Sequence, residues 1–176
     1  MLILLSGPIG SGKTMLCEQV AAAARERGMR VAGVLAPAIV EGGAKVGIEA
    51  VDLVSGERRL LARSDRDLGG VSVGRYSFDD ETLAWVLALQ QEALAGDGLV
   101  FVDEIGRLEL NRGGGLAPLI PALAQPRHAR TVVIVRDLVL ERMVARVAPA
   151  APHTVVLDPA CRDAARRALE GLLFRP

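Results

Sequence analysis

A chain of 176 residues is long enough for one domain with a sizeable core and too short for two ordinary ones. Its 51% hydrophobic and 24% charged residues exclude a disordered chain. The balance of 21 basic against 21 acidic residues excludes the net positive field that draws a protein non-specifically to nucleic acid or an anionic membrane.

One domain over residues 1–176 is therefore expected, with no membrane partner; nucleic-acid binding is disfavoured, leaving only a local basic patch to support it, and a protein partner is left open. The apolar residues 1–5 run at once into Ser6-Gly7, too short for a signal-peptide core and without a basic leader. No stretch approaches the length of a membrane span. Cys17 and Cys161 belong to no metal-ligand spacing, and Cys17 reads as a small buried hydrophobe. The cytoplasm is the expected compartment. His128 and His153 likewise lack ligand spacing and read as surface histidines.

In chain order, LILLSG predicts a short buried strand, TMLCEQVAAAARERG a helix stopping at Gly28, and RVAGVLA a second strand. Strand, turn, helix and strand make a βαβ unit, hence a parallel sheet with a right-handed crossover. Over residues 37–61 the β-branched runs are broken by turn signals at Glu41-Gly42-Gly43 and Ser55-Gly56-Glu57, which predicts a β-meander inserted at the sheet edge. The polar stretch RSDRDLGGVSVG predicts a loop. Ser77 or Asp79 then caps a helix through ETLAWVLALQQEALAG.

GLVFVDE is an uninterrupted apolar run, as a central strand covered on both faces requires. RGGG predicts a loop, followed by a short helix over residues 116–124. TVVIVRD is a further strand, DLVLERMVARV a helix, TVVLD a last strand and CRDAARRALEGLLF a terminal helix. The expected class is α/β: a mainly parallel sheet flanked by helices, with one antiparallel insertion.

Between the first strand and first helix stands Gly7-Pro8-Ile9-Gly10-Ser11-Gly12-Lys13-Thr14, which fits the phosphate-loop (Walker A) pattern G-x-x-x-x-G-K-[ST] at every fixed position. Successive backbone N–H groups must converge on a polyphosphate, and the glycines permit that curvature and close approach. The helix adds its positive N-terminal end. Lys13 and Lys45 are the only lysines among the 21 basic residues. Lys13, a compact ammonium on a flexible stem, suits the β and γ phosphates better than a planar guanidinium would. Thr14 is the expected hydroxyl ligand of Mg²⁺.

An acidic residue closing an apolar strand beside the loop strand is the Walker B arrangement, so Asp103 is the expected metal carboxylate. Glu104 is placed to orient and deprotonate an attacking water, with a structural hydrogen bond as its alternative role. Arg136 closes TVVIVRD. It can reach the γ-phosphate if that strand neighbours VFVDE; a surface ion pair is the alternative. Arg107 and Arg112 fall on the expected loop after the acidic strand, and Asp52 and Asp137 read as turn or capping residues. Aromatic residues make up only 3% of the chain, so a tight aromatic base pocket is not expected. Tyr76 and Phe78 are best placed to touch a base, with core packing as their alternative.

GPIGSGKT, APAIVEGGAKVGIEAVDLVSGE, VGRYSFDDETL and FVDEIGRLEL together resemble the small P-loop nucleoside-triphosphatase family that includes the thermophilic and cancer-related NTPases. The resemblance runs from residue 2 to about 140. It implies a RecA-like α/β fold with a hairpin insertion, and slow Mg²⁺-dependent hydrolysis of ATP, GTP, CTP and UTP to diphosphates. Gly7 to Thr14 match the family's phosphate loop. Asp103, Glu104, Ile105, Gly106 and Arg107 match its second nucleotide-binding element. ARVAPAAPHTVVLDPACRDAA is only loosely similar to the family's ending. A P-loop nucleotide or small-molecule kinase and a nucleotide-gated binding module are the alternatives to a hydrolase.

Overall fold

The computed structural model describes residues 1–125 and 129–174, so His128 lies outside the described residues. In chain order the elements are β1 (Leu2–Gly7), α1 (Lys13–Glu26), β2 (Val31–Leu35), β3 (Ala38–Glu41), β4 (Ala44–Asp52), β5 (Arg58–Arg63), β6 (Ser72–Val73), β7 (Tyr76–Phe78) and α2 (Asp80–Ala95). They continue with β8 (Leu99–Ile105), α3 (Arg107–Arg112), α4 (Ile120–Leu123), β9 (Arg130–Arg136), α5 (Leu140–Arg146), β10 (His153–Val156) and α6 (Arg162–Leu173). Short 3₁₀ turns precede α4, α5, β10 and α6.

The strands join in the order β10-β1-β9-β8-β2-β4-β5-β7-β6, with β3 paired to β4. From β10 to β2 every neighbouring pair is parallel; from β2 outward every pair is antiparallel. β4 bridges the two regions. Its Val51 and Asp52 pair with β2, while Ala44 to Ile48 pair with β3 on the same edge. The expected meander is thus present at the expected edge, but it extends further. The end of the stretch expected as loop forms β6, and with β7 it adds a second hairpin whose turn holds Gly74 at φ 60°.

Alternation along the parallel strands explains why both faces are covered. Ile3, Leu5, Val31, Leu35, Leu99, Phe101, Val132 and Ile134 point to one face, where Leu16, Cys17 and Val20 of α1 meet Ala165, Leu169 and Leu173 of α6. Leu4, Ala32, Val34, Val100, Val102, Val133 and Val135 point to the other, against Val86 and Leu94 of α2, Ile120 and Leu123 of α4, and Met143 of α5. A period of two on central strands with no polar face leaves helices on both sides as the way to bury them.

The sequence places α1 between β1 and β2, but those strands are not neighbours, because β9 and β8 are inserted between them. The acidic strand is likewise one strand removed from the loop strand. β9 fills that gap, which sets the end of TVVIVR beside the phosphate loop on one edge and VFVDE on the other.

Candidate active site

β1 delivers Gly7 at φ 150°, and the chain then turns, with the Ser11 N–H donating to Pro8 O at 3.2 Å. Gly7 passes so close to the start of the β10–α6 connection that a Cβ there would stand 2.4 Å from Leu157 O. Gly10 and Gly12 take φ 76° and 98°, left-handed values that curl the loop back to open α1. Gly12 is the residue before α1 and supplies no side-chain cap, nor is there an acidic residue in the first turn. By contrast, Asp79 caps α2 by accepting from the Thr82 N–H at 2.7 Å, with Asp80 and Glu81 in its first turn. One helix has its positive end neutralised by its own side chains; α1 has no such side chain at its N-terminus.

Lys13 folds over this loop. Its Nζ donates to Gly7 O at 2.8 Å and to Pro8 O at 2.9 Å. Burial lowers its pKa, the nearby Glu104 carboxylate pulls the other way, and Arg136 adds to the lowering. Thr14 donates its hydroxyl to Asp103 Oδ2 at 2.8 Å, and the same oxygen accepts the Ala36 N–H at 3.0 Å. Two hard oxygens from α1 and β8 therefore meet, although their strands are not adjacent in the sheet.

Asp103 is 6% exposed, and its pKa is pushed up to about 6, first by burial and then by the neighbouring Glu104 charge. The Ala36 N–H, the Thr14 hydroxyl and Lys45 oppose the shift. An acid whose pKa is raised on folding holds its proton more tightly in the folded state. The folded chain is therefore penalised once the unfolded-state carboxyl, with pKa about 3.9, has ionised. The penalty is absent below pH 4, grows between about pH 4 and 6, and reaches about 3 kcal/mol above that window. In metal-free buffer Asp103→Asn should be more stable to urea than the parent at pH 7.5, and the gap should shrink as the pH falls through 6 and close below about pH 4. A gap that does not change with pH would contradict the burial cause.

Glu104 points to a different partner. Its Oε1 accepts from Arg136 Nε in a close ion pair. Arg136 closes β9 directly opposite Gly7 of β1 in the parallel register. Its stem passes Gly106 so closely that a Cβ there would lie 3.3 Å from Arg136 Cγ. The β8–β9 ladder breaks between Val102 and Ile105, which releases Asp103 and Glu104 from regular pairing.

Lys13, Thr14, Asp103, Glu104 and Arg136 are thus brought together. Pro8 and Ile9 are exposed at the loop crest, and Ser11 is buried beneath it. The Ile105 side chain is wholly buried in the core, and the Gly106 N–H is taken by Glu109 Oε2 at 2.7 Å. Arg107 and Arg112, expected on a loop, are the first and last residues of α3. Arg107 is exposed, and Arg112 leans away to donate to Ser72 O at 3.2 Å. His153 is exposed at the start of β10. Asp52 accepts from Val54 and Ser55, and Asp137 from Leu138, as turn residues do.

Glu109 is the residue that the sequence reading passed over. Its carboxylate accepts from Gly106 N–H and from Leu116 N–H at 3.3 Å, fixing α3 to the turn that follows, and burial raises its pKa. Glu109 at the third helical position reaches back to the Gly106 N–H, the half of a capping box that a glycine N-cap allows; with no Ser or Thr at position 106 the full signature is absent from the sequence.

A family profile described as NTPase matches residues 2–167. The chain belongs to this NTPase family. Its match carries past the residue near 140 where the recognisable motifs end and includes the loosely similar ending. The chain is 39% identical over 108 residues to the nucleoside-triphosphatase THEP1 of Methanopyrus kandleri, covering 61% of this chain and 59% of that one. It is 35% identical over 144 residues to that of Pyrobaculum aerophilum, covering 78% and 79%. The chain thus spans about 60% of the length of the first curated relatives it matches. Among solved structures, THEP1 from Aquifex aeolicus superposes with a TM-score of 0.74 at 19% identity, covering 99% of this chain and all of that one. A human cancer-related nucleoside triphosphatase also gives 0.74, at 22% identity and 98% and 97% coverage. At those identities the likeness is one of fold. The P-loop α/β architecture of this NTPase-family chain is the expected one.

Proposed function

We propose that this chain is a Mg²⁺-dependent nucleoside-triphosphatase, working as a single P-loop domain on ATP, GTP, CTP and UTP with weak discrimination between bases. The observation that carries the reading is the 2.8 Å contact between Thr14 Oγ1 and Asp103 Oδ2 at the open end of α1, with Glu104 next in the chain. A hydroxyl and a carboxylate that already meet are a hard oxygen pair of the kind Mg²⁺ takes from protein while phosphates and waters fill its other positions. The described residues hold no cluster of three His, Cys, Asp or Glu that would suit an all-protein metal cage. Thr14 and Asp103 would hold Mg²⁺, which would supply charge neutralisation at the transferring phosphoryl group.

The protein's own groups do the rest. Loop N–H groups and Lys13 bind the phosphates, Lys13 exchanging the Gly7 and Pro8 carbonyls for phosphate oxygens. Glu104 takes the proton from a water whose oxygen forms the new bond to the γ-phosphorus, as the bond to the β–γ bridging oxygen breaks. The leaving diphosphate carries the negative charge away, stabilised by Lys13 and the loop amides. Glu104 Oε1 is turned toward Arg136, which leaves Oε2 for the water.

Hydrolysis is favoured over kinase action by the segment after the acidic strand. ELNRGGGL, the one stretch suited to be an acceptor lid, is largely helix α3 and a turn pinned by Glu109. Phosphate release should appear with each of the four nucleotides and no acceptor, and should vanish when Mg²⁺ is chelated. Release only on addition of an acceptor would make the chain a kinase. A hundredfold preference for one base would remove the broad-specificity part of the reading.

A further inference from the structure

Five aromatic rings are present in the sequence, and their packing and cation contacts are with residues outside the phosphate loop. Phe101 is buried within β8 and Phe78 packs on the core beneath α2. Trp85 lies under the Arg59 guanidinium, Tyr76 on the meander between Lys45 and Arg75, and Phe174 against Arg27 at the far end of α1. None of these ring contacts involves a phosphate-loop residue, whereas other flat and polarisable side chains do lie against the loop.

The sheet order says where that surface has to be. Asp103, Glu104 and Arg136 come from β8 and β9, on one side of β1; β10 lies on the other. A triphosphate with its γ end among those groups points its nucleoside toward β10 and the start of α6. There the chain presents Arg162 and Met15. A side-chain carbon at Gly12 would stand 3.4 Å from Met15 Cε and 3.7 Å from Arg162 Nη1, so both side chains lie against the same face of the loop. Met15 is 47% exposed although apolar, and Arg162 is exposed, with no ion pair among the described residues.

We propose that Arg162 and Met15 form the nucleobase contact of the site: the guanidinium plane and the thioether stack on the base of whichever nucleoside triphosphate is bound. Guanidinium and sulfur both bind π faces, and every base has one, so such a clamp holds nucleosides without reading their edges. The assignment rests on the nucleoside-triphosphatase reading and adds to it a specificity element from the segment least like the family.

Titration calorimetry on the Mg²⁺-loaded full chain tests it, with ATP, CTP and inorganic tripolyphosphate as probes. Arg162→Ala should weaken both nucleotides about tenfold, as loss of one stacking partner does, and leave tripolyphosphate within about twofold. Arg162→Lys, which keeps the charge and loses the plane, should behave like Arg162→Ala, and Met15→Ala should weaken the nucleotides in the same selective way. Equal weakening of tripolyphosphate, or rescue by lysine, would make Arg162 a phosphate contact and overturn the proposal. Unchanged nucleotide affinity in all three variants would overturn it as well, while leaving the hydrolase reading standing. Failure of the parent to bind ATP would remove both.

Discussion

Replacing Glu104 by Gln is expected to leave Mg²⁺–ATP affinity within about threefold of the parent and to cut turnover by about 10² to 10⁴. The substitution keeps the shape and an acceptor oxygen for Arg136, so the geometry of the β8 end should survive. It removes the carboxylate to which the proposed mechanism assigns the water's proton. Asp103 has another role in that mechanism: its Oδ2 serves Thr14 and the Ala36 N–H. Phosphate release under saturating nucleotide, measured with ATP affinity by calorimetry, separates the outcomes. Parental turnover in Glu104→Gln would reduce Glu104 to the structural ion pair seen with Arg136. Loss of binding as well would mean that the carboxylate organises the loop rather than the water.

Most of the fold was legible because its signals are local. Apolar runs of central strands, a fully matched phosphate loop between strand and helix, and turn residues at hairpin spacing each fix one element whatever surrounds it. What escaped depends on partners distant in sequence. That β9 would separate the loop strand from the acidic strand is a property of sheet order, which no window of residues carries. The stretch ending in β6 is polar and glycine-containing, and its strand character comes from pairing with β7. α3 was missed because a six-residue helix has little periodicity and its cap, Glu109, is contributed from inside it. At the site, the loop and the acidic pair were readable from residue types. The side chain that Glu104 meets was not, since Arg136 lies 32 residues on and two alternatives were equally consistent with its position.

Arg136 can act on the phosphate or only on Glu104, and the two roles predict different kinetics. It closes β9 opposite Gly7, and its Nε donates to Glu104, the candidate base. With Nε committed to Glu104, the two Nη groups are the ones available to the γ-phosphate. An arginine supplied in this way is worth about 10³ to 10⁵ in rate, and Arg136→Ala is expected to lose about 10³ in turnover. Arg136→Lys should recover little, because a single ammonium cannot hold Glu104 and a phosphate oxygen together. If Arg136 merely orients Glu104, its removal should cost nothing further once Glu104 is already Gln. If it stabilises charge on the transferring group, most of the loss should persist in that background. Single-turnover hydrolysis of labelled ATP by the two single variants and the double variant completes the cycle. The phosphate-contacting role requires that the double variant be much slower than Glu104→Gln alone; equal rates would assign Arg136 to positioning.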